Sequence, residues 1–281
     1  MNKIGIMQGR LSPPINTRIQ AFPVNHWEEE FQKASKIGFT SIEWIFDTLS
    51  PNPIVDKMKI RKINKLSSEF DISINSLCAD FFMVNKLFNV SEDEISSNLD
   101  TLKILIENCS ELEINILEIP LVDSSSIKNE LFEKEFTTNL NEILPIAEKN
   151  NVILTLETDL PPVRFDSLLS DINNPYVAAN YDIGNSTSLG YDPALEFEIM
   201  GKWIKNIHIK DRLFNSHTVP LGEGDVNFEL FFTTLSKIHY SESLIIQGAR
   251  EDLENNQISP EQTCSKYLNF VKHYVSKYLV K

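Results

Sequence analysis

Apolar residues along this chain fall in short runs of strand length, separated by stretches with the spacing of amphipathic helices. The runs are Ile4–Met7, Ser41–Ile45, Ser73–Leu77, Asn115–Ile119, Val152–Leu156, Val177–Tyr181, Asn206–Ile209 and Leu244–Ile246. Trp27–Ile37 has helical periodicity and stops at Gly38, the residue that most easily takes a left-handed C-terminal cap. Ser91 with Glu94 forms the signature of a capping box, opening a helix that runs to Cys109. Leu131–Lys149 is helical in pattern and ends at Asn150-Asn151, directly before the next strand. Tyr267, Phe270, Val271, Tyr274, Val275 and Tyr278 make one apolar stripe on a final helix. Strands alternating with helices imply a parallel sheet, and eight such units imply a closed (β/α)₈ barrel of the TIM type. No linker or composition break divides the chain, so residues 1–281 are read as one catalytic domain.

Four runs end on a group able to hold a divalent ion: Glu157, Asp182, His208 and Gln247. They recur at intervals of roughly 25 to 40 residues, as expected of successive barrel strands delivering side chains to one rim. Three oxygen donors and one imidazole suit Mn²⁺ first, with Mg²⁺, Co²⁺ or Zn²⁺ as alternatives, and leave coordination positions open for substrate oxygens. The first turn, Met7-Gln8-Gly9-Arg10-Leu11-Ser12-Pro13-Pro14, has one glycine and two prolines, which excludes a dinucleotide-binding fingerprint.

Composition narrows the partners. A net charge of −14 repels phosphate backbones and anionic lipid, so neither nucleic acid nor a membrane is expected as a partner. Cys78, Cys109 and Cys264 are odd in number and far apart, which argues against a disulfide framework or a zinc–thiolate site. No run is long enough to cross a bilayer and no signal-peptide core opens the chain, so a reduced, cytoplasmic protein is expected.

The segments Leu156-Glu157-Thr158, Tyr181-Asp182-Ile183-Gly184-Asn185, Ile207-His208-Ile209-Lys210-Asp211 and Leu221-Gly222-Glu223-Gly224-Asp225-Val226-Asn227-Phe228 resemble the xylose-isomerase-like superfamily of sugar isomerases and epimerases. The opening Met7-Gln8-Gly9-Arg10-Leu11-Ser12 is similar to a bacterial branch described as sugar phosphate isomerase/epimerase. The resemblance implies one divalent metal held by Glu157, Asp182, His208 and the residue at the end of the eighth strand. Family members carry Glu there, and ketose 3-epimerases use their two glutamates as opposed acid and base. Here that position is Gln247, whose amide oxygen can ligate a metal but cannot exchange a proton. The superfamily also contains dimers and tetramers, so a homo-oligomer is expected, with no interface legible.

Further candidates lie at other strand ends. Glu157 is the first choice of base, Glu118 a second catalytic carboxylate and Glu43 a partner or orienting group. Lys210 shares the face of His208 and suits a substrate hydroxyl or oxyanion; Asp211 is expected to fix His208 or the lysine. Gln8, Arg10, Asn185 and Arg250 are candidates for substrate contact, with the two arginines suited to a phosphate or acid group. Asp80 and His217 are weaker candidates, and Arg212 reads as a surface cation. Gly222-Glu223-Gly224-Asp225 lacks the ending of a phosphate loop and reads as a lid or tight turn. Trp44, Phe46, Phe81, Phe82 and Phe214 are candidates for pocket walls or packing.

Three function classes follow. The first is a metal-dependent isomerase or epimerase of a sugar or sugar phosphate, with dehydration of a keto-polyol as a close variant whose acid would be Lys210 or His217. The second is a DNA-repair endonuclease of the same barrel type, opposed by the acidic charge and by a histidine count of only 5. The third is a non-catalytic sugar-binding barrel, which Gln247 keeps open.

Overall fold

Each of the eight apolar runs forms a barrel strand in the computed structural model, which describes residues 3–279 apart from 16, 17, 19 and 252–257. These are β1 (Ile4–Met7), β2 (Ser41–Ile45), β3 (Ser73–Cys78), β4 (Ile116–Leu121), β5 (Ile153–Thr158), β6 (Val177–Asp182), β7 (Ile204–Ile209) and β10 (Leu244–Ile246). They pair in parallel in the closed order β1-β10-β7-β6-β5-β4-β3-β2. A short antiparallel ribbon, β8 (Asp211–Arg212) with β9 (Thr218–Val219), follows β7 on the rim. The strands β4, β5 and β6 run further than the apolar pattern alone indicates, because pairing continues through Leu121 with Thr158 and Asp182 with His208. Glu157 and Asp182 therefore belong to the ladder and inherit its rigidity.

Helices α1 (Trp27–Ile37), α2 (Lys57–Phe70), α4 (Glu92–Glu111), α5 (Glu130–Asn150), α6 (Pro162–Ile172), α8 (Pro193–Met200), α9 (Phe228–Lys237) and α10 (Pro260–Tyr278) surround the sheet, with short α3 (Phe81–Val84) and α7 (Ile183–Leu189) on the rim. Their ends follow the local sequence. Ser91 and Glu94 exchange both bonds of the capping box, Gly38 takes the left-handed cap, and Asn151 does the same before β5. The stripe on α10 buries Tyr267, Val271 and Val275, while Phe270 and Tyr274 pack on Phe228. Trp44, Phe46 and Phe82 are buried and Phe214 is exposed. Trp44 packs on Phe22 and Trp27, so it belongs to the layer between sheet and helices.

The interior of the barrel is different. Ser41, Glu43, Ser76, Glu118, Thr155, Asn180, Asn206 and His208 are all buried. Glu43 and Glu118 reach His208 although their strands do not neighbour β7, which only the barrel interior permits. Two register shifts create this lining. The extra residue Lys205 in β7 is skipped between the pairs Ala179–Ile204 and Asn180–Asn206. Without it Asp182 would face Ile207, and His208 would turn out of the barrel. Asn75 plays the same part in β3 and sets Ser76 opposite Glu43.

Candidate metal centre

His208 is the hub. It is fully buried, and four carboxylates surround its ring. Glu43 Oε2 lies 2.7 Å and Glu118 Oε2 3.2 Å from Nε2. Glu157 Oε2 lies 3.3 Å and Asp182 Oδ2 4.0 Å from Nδ1. The ring thus has two faces of different use. Glu43 is held by Ser76 Oγ at 2.6 Å and Asn206 Nδ2 at 2.8 Å, so it is a fixed acceptor for an Nε2–H. Once its other proton is released, that arrangement leaves Nδ1 with its lone pair toward Glu157 and Asp182, the form in which imidazole ligates a metal.

The second face is a metal-shaped donor set. Ligand atoms of Glu157, Asp182 and His208 all lie within 4.8 Å of one another, and all three residues are buried. Asn180 Nδ2 approaches Glu157 Oε2 at 2.7 Å and His208 Nδ1 at 3.2 Å. Asn185 Nδ2 reaches Glu157 Oε1 at 2.6 Å, and its backbone N–H caps Asp182 Oδ1 at 2.8 Å. Lys210 Nζ sits 2.6 Å from Asp182 Oδ2. Gln247 pairs one residue beyond the Ile246–Ile209 match, so it shares the parity of His208 and stands one layer higher, level with Lys210. Its Oε1 is buried and accepts no hydrogen bond among the described residues. An amide oxygen without a partner among the described residues, on the same rim as two carboxylates and an imidazole, fits a divalent cation of the oxygen- and nitrogen-preferring kind.

The same crowding sets the protonation states. Burial alone would push His208 down, but the Glu43 and Glu118 charges outweigh it and hold the imidazole well above its usual range. Burial works against ionised Glu157 too, yet the bond and charge of His208, with Lys210, hold its carboxyl at about 2. Burial drives the carboxyl of Glu118 well above the ordinary range, and the neighbouring His208 only partly opposes it. Two carboxyls around one imidazole whose pKa values are pushed in opposite directions are an arrangement suited to proton transfer.

Other sequence candidates occupy varied positions. Gln8 Oε1 accepts from Ile45 N at 3.0 Å, and its Nε2 is buried without a partner among the described residues. Arg10 donates to Gly248 O at 3.0 Å and Gln20 Oε1 at 3.2 Å, and burial, with Arg250 nearby, lowers its pKa to about 10. Arg250 donates to Ser12 O and Gly9 O. Both arginines therefore clamp the β1 and β10 loops together, aided by Glu30, whose carboxylate takes Gly9 N, Leu11 N and Ser12 Oγ. Asp211 turns its carboxylate to Gly222 N at 2.8 Å, Gly224 N at 3.0 Å and Val226 N at 3.3 Å, so it anchors the glycine turn and not His208. Its parity, odd to that of His208, explains the difference. Arg212 faces Asn185 Oδ1 at 2.8 Å and Ser216 O, a more internal place than a surface cation. His217 is exposed against Ser216. Asn180, Asn206 and Ser76 escaped the sequence reading, although Asn180 and Asn206 stand two residues before Asp182 and His208 and so had to share their face. Gln20, which bonds both Gln247 and Asp80, carries no sequence signal at all.

Comparison with known proteins agrees with the barrel fold. Over residues 31–267 the chain matches the model of the family described as xylose isomerase-like TIM barrel. An L-ribulose-5-phosphate 3-epimerase of Escherichia coli is 25% identical over 279 residues, covering 94% of this chain and 95% of that protein. Among solved structures, D-psicose 3-epimerase of Clostridium cellulolyticum H10, in complex with D-tagatose, superposes with a TM-score of 0.79 at 14% identity, covering 97% and 99% of the two chains. An E. coli 3-keto-D-glucoside 4-epimerase gives 0.73 at 15% identity, covering 97% and 100%. These relatives are sugar epimerases, which places the chain among enzymes of the isomerase class. The chain belongs to the xylose isomerase-like TIM barrel family.

Proposed function

We propose that this protein is a metal-dependent isomerase or epimerase of a sugar or sugar phosphate, acting by proton abstraction from the carbon beside a carbonyl. The observation that carries this reading is the convergence of Glu157, Asp182 and His208 within 4.8 Å, with the Oε1 of Gln247, which has no hydrogen-bond partner among the described residues, on the same rim. These four side chains would hold one divalent ion, with Mn²⁺ the first candidate. When bound, such an ion polarises a substrate carbonyl and makes the adjacent C–H more acidic.

The chain's own groups do the rest. Glu157, ionised at neutral pH, is the base, and Asn180 and Asn185 fix its two oxygens. Glu118, whose carboxyl pKa is raised by burial, is the second catalytic carboxylate, on the other side of His208. Lys210, one turn of the strand above His208, offers an ammonium to a developing oxyanion or a substrate hydroxyl, with Asn185 Oδ1 at 3.3 Å steadying it. Gln8, Arg10, Glu43, Asn185, Asp211 and Arg250 act in this reading as the supports and rim contacts of the substrate pocket.

Gln247 favours a one-sided reaction, because an amide on the opposite side of the site cannot return a proton. Isomerisation, or dehydration of a keto-polyol with Lys210 as acid, meets that condition. The test is solvent-deuterium exchange into a panel of ketoses and ketose phosphates by the Mn²⁺-loaded protein. Deuterium at carbon next to the carbonyl supports the reading. Sugar binding with no exchange in any member of the panel supports a binding barrel instead.

A further inference from the structure

Gln247 is tied to a chain of hydrogen bonds whose polarity cannot be reversed. Its Nε2 lies 3.0 Å from Gln20 Oε1. Gln20 Oε1 also accepts from Arg10 Nη2 at 3.2 Å, and Gln20 Nε2 donates to Asp80 Oδ2 at 2.7 Å. Asp80 is completed by Cys78 Sγ at 3.3 Å. A guanidinium only donates, and a carboxylate only accepts. Arg10 and Asp80 therefore fix which edge of the Gln20 amide faces which way. Gln20 then presents an oxygen to residue 247, which must answer with its NH₂.

The consequence falls on the other end of Gln247. With Nε2 committed to Gln20, Oε1 points away from Gln20, buried and without a hydrogen-bond partner among the described residues. We infer that Gln20 is a positioning residue that locks the Gln247 amide with its oxygen toward the metal, its own orientation being dictated by Arg10 and Asp80. This rests on the metal-dependent reading above. It also accounts for an amide at this position: a carboxylate at 247 would meet Gln20 Oε1 acceptor to acceptor, and Gln20 cannot turn without setting its NH₂ against Arg10. Cys78, Asp80 and Gln20 thereby form a supporting set drawn from β3 and the loop after β1.

Mn²⁺ titration calorimetry on the full chain tests the lock, with the visible spectrum of the Co²⁺ form as a second readout. Gln20→Met keeps the volume and removes the bonds to Gln247, Arg10 and Asp80. It is expected to weaken Mn²⁺ about 10- to 100-fold, the usual effect of losing a ligand's support. Its Co²⁺ spectrum is expected to move as in Gln247→Ala. Gln20→Glu combined with Asp80→Asn restores an acceptor toward Gln247 and Arg10 while giving the lower link a donor, and is expected to bind Mn²⁺ within a few-fold of wild type. Mn²⁺ affinity and Co²⁺ spectrum unchanged in Gln20→Met would overturn the lock. Should Gln20→Met fail to fold, the double variant decides: retained binding upholds the lock, and loss to the level of Gln247→Ala overturns it. If the wild-type protein binds no Mn²⁺, the metal reading falls and the lock with it.

Discussion

Exchanging Glu43 for glutamine removes one charge from beneath the imidazole while leaving its shape. The carboxylate accepts from Ser76 Oγ at 2.6 Å and Asn206 Nδ2 at 2.8 Å and faces His208 Nε2 at 2.7 Å. The amide retains one oxygen for Nε2–H. Its NH₂ would meet Ser76, whose hydroxyl also accepts, and Asn206, whose buried Oδ1 has no partner among the described residues and can be turned toward it. The bonds survive, and the loss is the difference between a charged and a neutral acceptor, about 1 to 1.5 kcal/mol. That corresponds to roughly tenfold in Mn²⁺ affinity, the low end for a histidine support.

The pH dependence is the sharper part. His208 has a folded pKa raised above the unfolded value, because Glu43 and Glu118 outweigh its burial. Its proton thus stabilises the metal-free protein fully below an unfolded pKa of about 6.5, and that contribution is lost as pH rises through the folded value. A metal needs Nδ1 unprotonated, so binding releases this proton and affinity climbs with pH until the folded value is passed. Glu43→Gln removes part of what raises the pKa, so the climb ends at lower pH. Mn²⁺ calorimetry in buffers of different ionisation enthalpy, from about pH 6 to about pH 9, counts the released protons. The variant should release fewer protons at neutral pH, bind roughly tenfold more weakly at the alkaline end, and approach wild type toward the acid end. Equal proton release and equal affinity across the range would refute the coupling between Glu43 and the ring.

Other perturbations have defined outcomes. A Cβ at Gly224 would lie 2.1 Å from Asp211 Oδ1, so Gly224→Ala should cost about 1 to 3 kcal/mol in urea unfolding by breaking the carboxylate-anchored turn. Lys210→Met should leave Mn²⁺ binding equal or tighter, since the ammonium 2.6 Å from Asp182 Oδ2 competes for that oxygen, while slowing proton exchange about 100-fold or more. Phe136 is fully buried on the inner side of α5, and Phe136→Ala should lower unfolding stability by about 3 to 5 kcal/mol with Mn²⁺ affinity retained.

The barrel was legible because each strand is a short run rich in apolar residues and helix stops such as Gly38 and Asn151 carry a residue suited to a left-handed cap. Glu157, Asp182 and His208 stood out as polar endings on such runs. Parity also held information about Asp211, which lies one residue past the face of His208 and instead anchors the Gly222–Val226 turn. What was hidden depends on register. The skipped residues Lys205 and Asn75 re-aim His208 and Ser76, and no local pattern distinguishes them from ordinary strand positions. Arg10 in the Met7–Ser12 motif and Arg250 after β10 were candidates for an anion, but their directions depend on carbonyls of each other's loops and on Glu30 in α1. The Gln20–Gln247 bond spans 227 residues, and nothing near either glutamine announces it.

The central claim is that Glu157, Asp182, His208 and Gln247 hold one catalytic divalent ion. Metal content of the purified protein, measured beside Glu157→Gln and His208→Ala and paired with solvent-deuterium exchange into a ketose panel, tests it most directly. The account predicts one ion per chain in the wild type, its loss in both variants, and exchange that disappears with it. Full metal occupancy in both variants, or exchange that persists after chelation, would contradict it.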